Sequence, residues 1–296
     1  MRVNPNPIAD ILASIALDQQ TQETALAQLA SGRRVNLPSD DPAAAATLSL
    51  NHAQAAQDDQ FLQVISGVSA RLQVADSTIG SVVSSLDRAI SLGIEGGGGA
   101  TLSNANRSAI VTELQGLQQQ ILGLANTSFQ GSYLFAGTAS TTAPFSANPA
   151  SPSGVSYAGN TGTNTLSVGQ SFSVTVNLPG SQLFSGAGGD VFQSLQDLIV
   201  AIQNNTGIDT AVLGLRKAFD VVTTQRVFYG NVLQQLDAQQ TSINSEKLQL
   251  ASQENAVGGA DPAAAASAAV SAATARTAAL QAATSLLNTS LFNFLK

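Results

Sequence analysis

At 296 residues the chain is long enough for two or three domains, or for one elongated rod carrying an inserted module. Twelve Lys and Arg against nineteen Asp and Glu leave a net charge of −7, and no basic stripe is visible, which excludes an electrostatic footprint for nucleic acid. Charged residues make up only 10% against the usual share of about 25%; with no cysteine and one histidine, His52, there is no disulfide framework, thiolate metal site or cysteine nucleophile.

Residues 1–10 hold one Arg, two prolines and no apolar core, so no Sec-type signal is expected. Residues 8–30 form an amphipathic segment whose large apolar groups include Ile8, Ile11, Leu12, Ile15, Leu26 and Leu29. Asp40-Asp41-Pro42 then reads as a helix start, because a carboxylate caps orphan amides and proline suits a first turn that needs no N–H. From Pro42 to about Ile94 a helix roughly 80 Å long is expected at 1.5 Å per residue. Its seam is Ile65, Val68, Leu72, Ala75, Ile79, Val82, Leu86 and Ile90, an alternation of threes and fours. Asp58-Asp59 reads as a solvated part of its surface. Glu95 to Ala100, with four glycines and no Gly-Lys-Ser/Thr after them, is a reversal loop and not a phosphate cradle.

Leu102-Ser103-Asn104 starts a shorter helix with Ile110, Leu114, Leu117, Ile121 and Leu124 on one face, returning against the first. Between about Ser140 and Gly189 the composition turns to Gly, Pro, Ser, Thr and Asn. There Phe172, Val174, Val176 and Leu178 alternate with polar residues as in a half-buried strand, and 155–157 and 166–168 suggest two more. Helix resumes near Asp190 with Val191, Leu195, Leu198 and Ile202. A second long seam runs Val212, Leu215, Phe219, Val222, Arg226, Tyr229, Leu233, Leu236, Gln240, Ile243, Lys247 and Leu250, weakened locally by its polar members. Asp261-Pro262 repeats the start signal. In the last helix Val270, Ala273, Thr277, Leu280, Thr284, Leu287, Leu291 and Phe294 share one face, expected to meet Ile8, Ile11, Leu12 and Ile15 and neighbouring copies. Residues 277–295 carry no charge, yet Thr277, Gln281, Thr284, Asn288 and Asn293 interrupt them too often for a membrane span.

The expected fold is mainly α, an elongated rod of long coiled-coil helices formed by both chain ends, with a small inserted β-rich outer domain. Residues 1–39 and 259–296 form the terminal coiled coil, 40–140 and 190–258 the rod, and 141–189 the β-rich insertion. No catalytic, cofactor or metal site is expected. His52 has no partner ligands in sequence, and Ser156 in Gly154-Val-Ser-Tyr-Ala-Gly159 does not fit the nucleophile elbow. Matched helices at the two ends point instead to a structural protein that assembles.

Residues 102–107, 114–117 and 124–127 are similar to the bacterial flagellin superfamily. Within it, Gly131-Ser132-Tyr133-Leu134-Phe135-Ala136-Gly137-Thr138 followed by Ala143-Pro144-Phe145 resembles the hook-associated proteins of the hook–filament junction. Met1-Arg2-Val3, Gly32-Arg33-Arg34, Pro38-Ser39-Asp40-Asp41-Pro42 and Ser290 to Leu295 match as well. The resemblance spans the chain and is weakest at 147–190. It marks Pro38, Asp40, Asp41, Pro42, Tyr133, Phe135, Gly137, Pro144 and Phe145 as signature positions. It implies a flagellin-like fold, export through the flagellar type III channel without a cleaved signal, and an extracellular place in the flagellum. The partners it implies are further copies in a ring, hook-associated protein 1, flagellin, and an export chaperone holding the C-terminal helix, with neither nucleic acid nor membrane. A flagellin-type filament subunit and a secreted coiled-coil effector or adhesin are the alternatives.

Overall fold

The computed structural model describes residues 7–98, 102–186 and 188–294, with side chains described from Ala9 to Ser285. Among the described residues seven segments are helical, six of them the helices expected and in the expected order, and the seventh a single turn within the hairpin region. They are α1 (Pro7–Ser31), α2 (Pro42–Gly96), α3 (Asn104–Ala125), the single turn α4 (Gly180–Leu183), α5 (Val191–Asn204), α6 (Ile208–Gly258) and α7 (Pro262–Phe294). Between α3 and α5 lie four two-stranded antiparallel hairpins among the described residues: β1 (Ser128–Phe129) with β2 (Ser132–Tyr133), β3 (Phe145–Ala147) with β4 (Val155–Tyr157), β5 (Thr165–Ser167) with β6 (Ser173–Thr175), and β7 (Ser185–Gly186) with β8 (Gly189–Asp190). The chain divides into two compact units, residues 1–57 with 245–296, and residues 58–244.

In the unit of residues 58–244 every member of the α2 seam from Ile65 to Ile90 is buried. It packs with Leu215, Val222, Tyr229, Leu236 and Ile243 of α6 in one hydrophobic core. Arg226 sits in that seam without disrupting it. Its Nε donates to Asp76 Oδ1 at 2.8 Å and its Nη2 to Asp76 Oδ2 at 3.0 Å, and a Cβ on Gly80 would lie only 3.4 Å from the guanidinium. A bidentate carboxylate and a glycine-sized gap are what the planar fork needs to enter an apolar seam. Burial also corrects the reading of Asp58, which is buried and not solvated. Ala44, Asn51, Asp58, Ile65, Leu72, Ile79 and Leu86 recur every seven residues and are all buried, so a heptad position continues through two polar residues.

Ser103 caps α3, its hydroxyl accepting from Asn106 N at 3.2 Å, and Asp190 caps α5, accepting from Gln193 N at 2.8 Å. The α2 helix extends to Gly96, and Gly97 and Gly98 close its last turn through bonds to the carbonyls of Gly93 and Glu95. Gly99 and Ala100 of the expected loop lie outside the described residues.

The β-rich segment is less set apart than an insertion with its own centre. Val155, Val168, Val174, Val176, Leu178, Leu183 and Phe184 belong to the same core as α2, α3, α5 and α6. The strand expected across 172–178 is limited to Ser173–Thr175; Val174, Val176 and Leu178 point inward as anticipated, while Phe172 is exposed. Pro179 opens α4, and Gly180 donates to the Phe135 carbonyl at 2.7 Å.

Candidate assembly surface

The first unit joins the two ends of the described chain. The α1 and α7 helices pack along one another and run antiparallel, since the C-terminal end of α1 meets the segment just before α7. That meeting point is a clasp of two loops. Arg34 N donates to Gly258 O at 2.7 Å and Ala260 N to Gly32 O at 3.0 Å, bridging Arg33 and Gly259. The Arg34 guanidinium reaches both the Val257 carbonyl at 2.9 Å and Asp41 at 3.0 Å. Glu254 accepts from Arg33 at 3.4 Å and lies 2.9 Å from His52 Nε2, both on the surface.

The signature residues at this end have structural work that explains them. Asp41 Oδ1 accepts from Ala44 N at 3.0 Å and so caps α2, with exposed Pro42 as its first residue. The Ala44 amide first, and then Arg34, hold the Asp41 carboxyl below the usual carboxylate range. Asp40 instead tightens the preceding loop after exposed Pro38, accepting from Asn36 N and Leu37 N at 3.0 and 2.8 Å. Asp261 repeats the cap on α7 through Ala263 N at 2.9 Å. The two start signals are therefore two ends of one clasp.

The α1–α7 seam differs from the one expected. Ile11 and Ile15 are half-buried, but Leu12, Leu26 and Leu29 are exposed, Leu12 to 60%. On α7 the inward positions are Ala265, Ala269 and Ala272, with Ala279 and Ala283 half-buried, while Val270 and Leu280 are 67% and 46% exposed. Small residues let the two helices approach closely and turn the larger apolar groups outward. Ile8 lies on α1 and Leu287, Leu291 and Phe294 on α7, but their side chains fall outside the described ones. Leu295 and Met1 to Val3 lie outside the described residues altogether.

The second group of signature residues makes an aromatic core in the other unit. The Phe135 and Phe184 rings meet edge to face at 5.4 Å, Phe145 and Phe184 do the same at 5.4 Å, and Phe145 lies 5.5 Å from Phe192. Pro144 is buried beside them and Tyr133 is half-buried in β2. Gly137 has φ +71°, and a Cβ there would run into Asn160, whose Oδ1 accepts from Thr138 N at 2.8 Å. The signature is thus a packing motif. Two features were missed in the sequence. The β1–β2 turn places Gln130 and Gly131 at φ 50° and 79°, signalled only by the glycine between Phe129 and Tyr133. The clasp carries no signal in either loop alone.

Among the described residues no group of three His, Asp or Glu side chains could hold a metal ion, and no helix is long and apolar enough to cross a membrane. What the surface offers is a helix pair with leucines facing out.

Residues 4–140 match the family described as the bacterial flagellin N-terminal helical region. Flagellar hook-associated protein 3 of Escherichia coli is 28% identical over 238 residues, 71% of this chain and 73% of that protein. The chain is a relative of flagellar hook-associated protein 3. The protein of the same name from Salmonella typhimurium is 29% identical over 71% of this chain and 72% of its own length. In fold, the flagellar junction protein FlgL from Legionella pneumophila superposes with a TM-score of 0.62 at 18% identity, covering 72% of this chain and all of that one. The relationship to flagellar hook-associated protein 3 is to a structural component of the flagellum, not to an enzyme, and the flagellin-like helical fold read from the sequence is the one observed.

Proposed function

We propose that this chain is the structural adaptor that joins hook to filament, a ring of copies seated between hook-associated protein 1 and the first flagellin subunits. The carrying observation is the relationship to two proteins named flagellar hook-associated protein 3 across 71% of the chain. Residues 1–39 and 259–296 form the inner assembly layer in this reading. Its contact set is Ile8, Ile11, Leu12, Ile15, Leu26, Leu29, Leu280, Leu287, Leu291 and Phe294. The outward Leu12, Leu26 and Leu280 supply apolar area that a single copy leaves in water. Export through the flagellar type III channel, with a chaperone on the last helix, fits a chain without cysteine whose last helix bears a single charge.

A deletion strain viewed by electron microscopy tests the reading. Intact hooks without filaments, and flagellin shed into the medium, are expected. Normal filaments would overturn it. The absence of flagellin from both cell surface and medium would favour a filament subunit, the second reading, which the flagellin-type helical region at 4–140 supports.

A further inference from the structure

The C-terminal end of α6 is left unfinished by its own residues. A helix leaves its last carbonyls without intrahelical partners, and a cation near them suits the macrodipole. The last turn of α6 holds no basic residue, and Glu254 just before it carries the wrong sign for that end. Asn255 O accepts from Gly259 N at 2.9 Å. Val257 O and Gly258 O both turn instead to Arg34, from the opposite end of the chain. Val257 O accepts from the Arg34 guanidinium at 2.9 Å and Gly258 O from the Arg34 amide at 2.7 Å. Arg33 answers Glu254 at 3.4 Å. The cation, the amide and the counter-charge that α6 lacks are thus supplied by two consecutive residues.

The same segment holds the approach to α7. Ala260 N donates to Gly32 O at 3.0 Å, and one residue further on Asp261 caps α7. Packing is not what keeps the segment there. The Arg33 and Arg34 side chains are 59% and 48% exposed. A cavity of about 260 Å³ adjoins them, walled by Gly32, Arg33, Leu48, Glu254 and Gly258. Polar bonds do the holding, and the Arg34 fork makes two of them at once, to Val257 O and to Asp41.

We propose that Gly32–Arg34 is a strap that completes α6 from the other end of the chain, with Arg34 as its positioning residue. The end of α6 and the start of α7 are then ordered only when the N-terminal segment is seated across them. The device makes order at one chain end conditional on the other. It works within one copy and does not depend on the flagellar role.

Hydrogen–deuterium exchange of the full-length protein tests it. Arg34→Ala keeps the backbone bond to Gly258 and loses the guanidinium. Exchange across residues 254–272, the end of α6 and the start of α7, should rise about tenfold or more, the scale of one hydrogen bond to a charged group. Residues 65–90 of α2 should stay at the parent rate. Asp41→Asn keeps an oxygen for the Ala44 amide and leaves Arg34 on Val257, so its exchange across 254–272 should stay near the parent's. Unchanged exchange there in Arg34→Ala overturns the proposal. So does an equal rise at 65–90, which marks general unfolding, or a rise in Asp41→Asn as large as in Arg34→Ala, which places the effect at α2.

Discussion

Phe184 decides whether the β-rich segment is an appendage or part of the helical unit. It follows the single turn α4, is fully buried, and its ring lies 5.4 Å from Phe135, 5.4 Å from Phe145 and 6.2 Å from Phe192 of α5. Replacing it with alanine removes a whole ring from a site that cannot collapse, because the three neighbouring rings are fixed by β3, the signature loop and α5. Phe→Ala changes of this kind cost about 3–5 kcal/mol. For a cooperative unit of the size of residues 58–244, at roughly 2–4 °C per kcal/mol, the melting temperature should fall by about 6–20 °C. The assay is thermal melting followed by the helical circular dichroism signal, to which the hairpins contribute almost nothing. A segment with its own core would lose only itself and leave that signal in place. If the Phe184→Ala helical transition stays within about 2 °C of the parent, below what 1 kcal/mol produces, the shared core is not energetically shared.

Leu12→Asp with Leu280→Asp should leave circular dichroism and melting near parental values, because both side chains already face solvent, yet filament attachment in cells should be lost; normal filaments from this variant would remove the outward face from the assembly surface. Burial first, against the opposing Gln193 and Phe192 amides, pushes the Asp190 carboxyl up. A raised acid favours folding most at low pH, and that contribution is lost as the pH climbs through the raised value. Asp190→Asn keeps an oxygen to cap Gln193 N and should therefore melt above the parent at pH 7, the gap closing below the ordinary value of about 3.9; a variant that melts lower at pH 7 refutes this.

The long helices were legible because their seams are apolar at threes and fours, and the α2 stripe lies buried from end to end. Legibility stopped where the seam turned polar. Asp58 and Asn51 hold the same heptad position as Ile65, and their side chains hid that fact until burial revealed it. The cap residues Ser103, Asp41, Asp190 and Asp261 could be read locally, since a cap is a bond to an amide two or three residues away. The clasp could not, because Arg34 and Val257 stand 223 residues apart in the chain and meet only in the folded unit. The hairpins were partly lost for a different reason. Strands of two or three residues are too short to show an alternating pattern, and their order comes from Asn160, Asn177 and Tyr157 bonding to backbone. Asn177 donates to the Gly162 carbonyl at 3.2 Å from a fully buried position, a contact no periodicity announces.

Of the seam expected between the terminal helices, Ile11 and Ile15 turn inward while Leu12 and Leu280 face solvent. Large apolar groups ordinarily mark the face toward the partner helix, so Leu12 and Leu280 were assigned to the α1–α7 seam. The α7 helix turns an alanine face to its sister and Val270 and Leu280 outward, while α1 turns Ile11, Ile15 and Ala25 inward among polar residues and Leu12, Leu26 and Leu29 outward. Choosing the alanine face brings the backbones close but removes little area from water, so the pair gains modestly on its own. Choosing the leucine face would bury that area within one copy and leave nothing for a second. Each leucine kept outside retains roughly 1.5–3 kcal/mol, as an upper estimate, for burial against another copy.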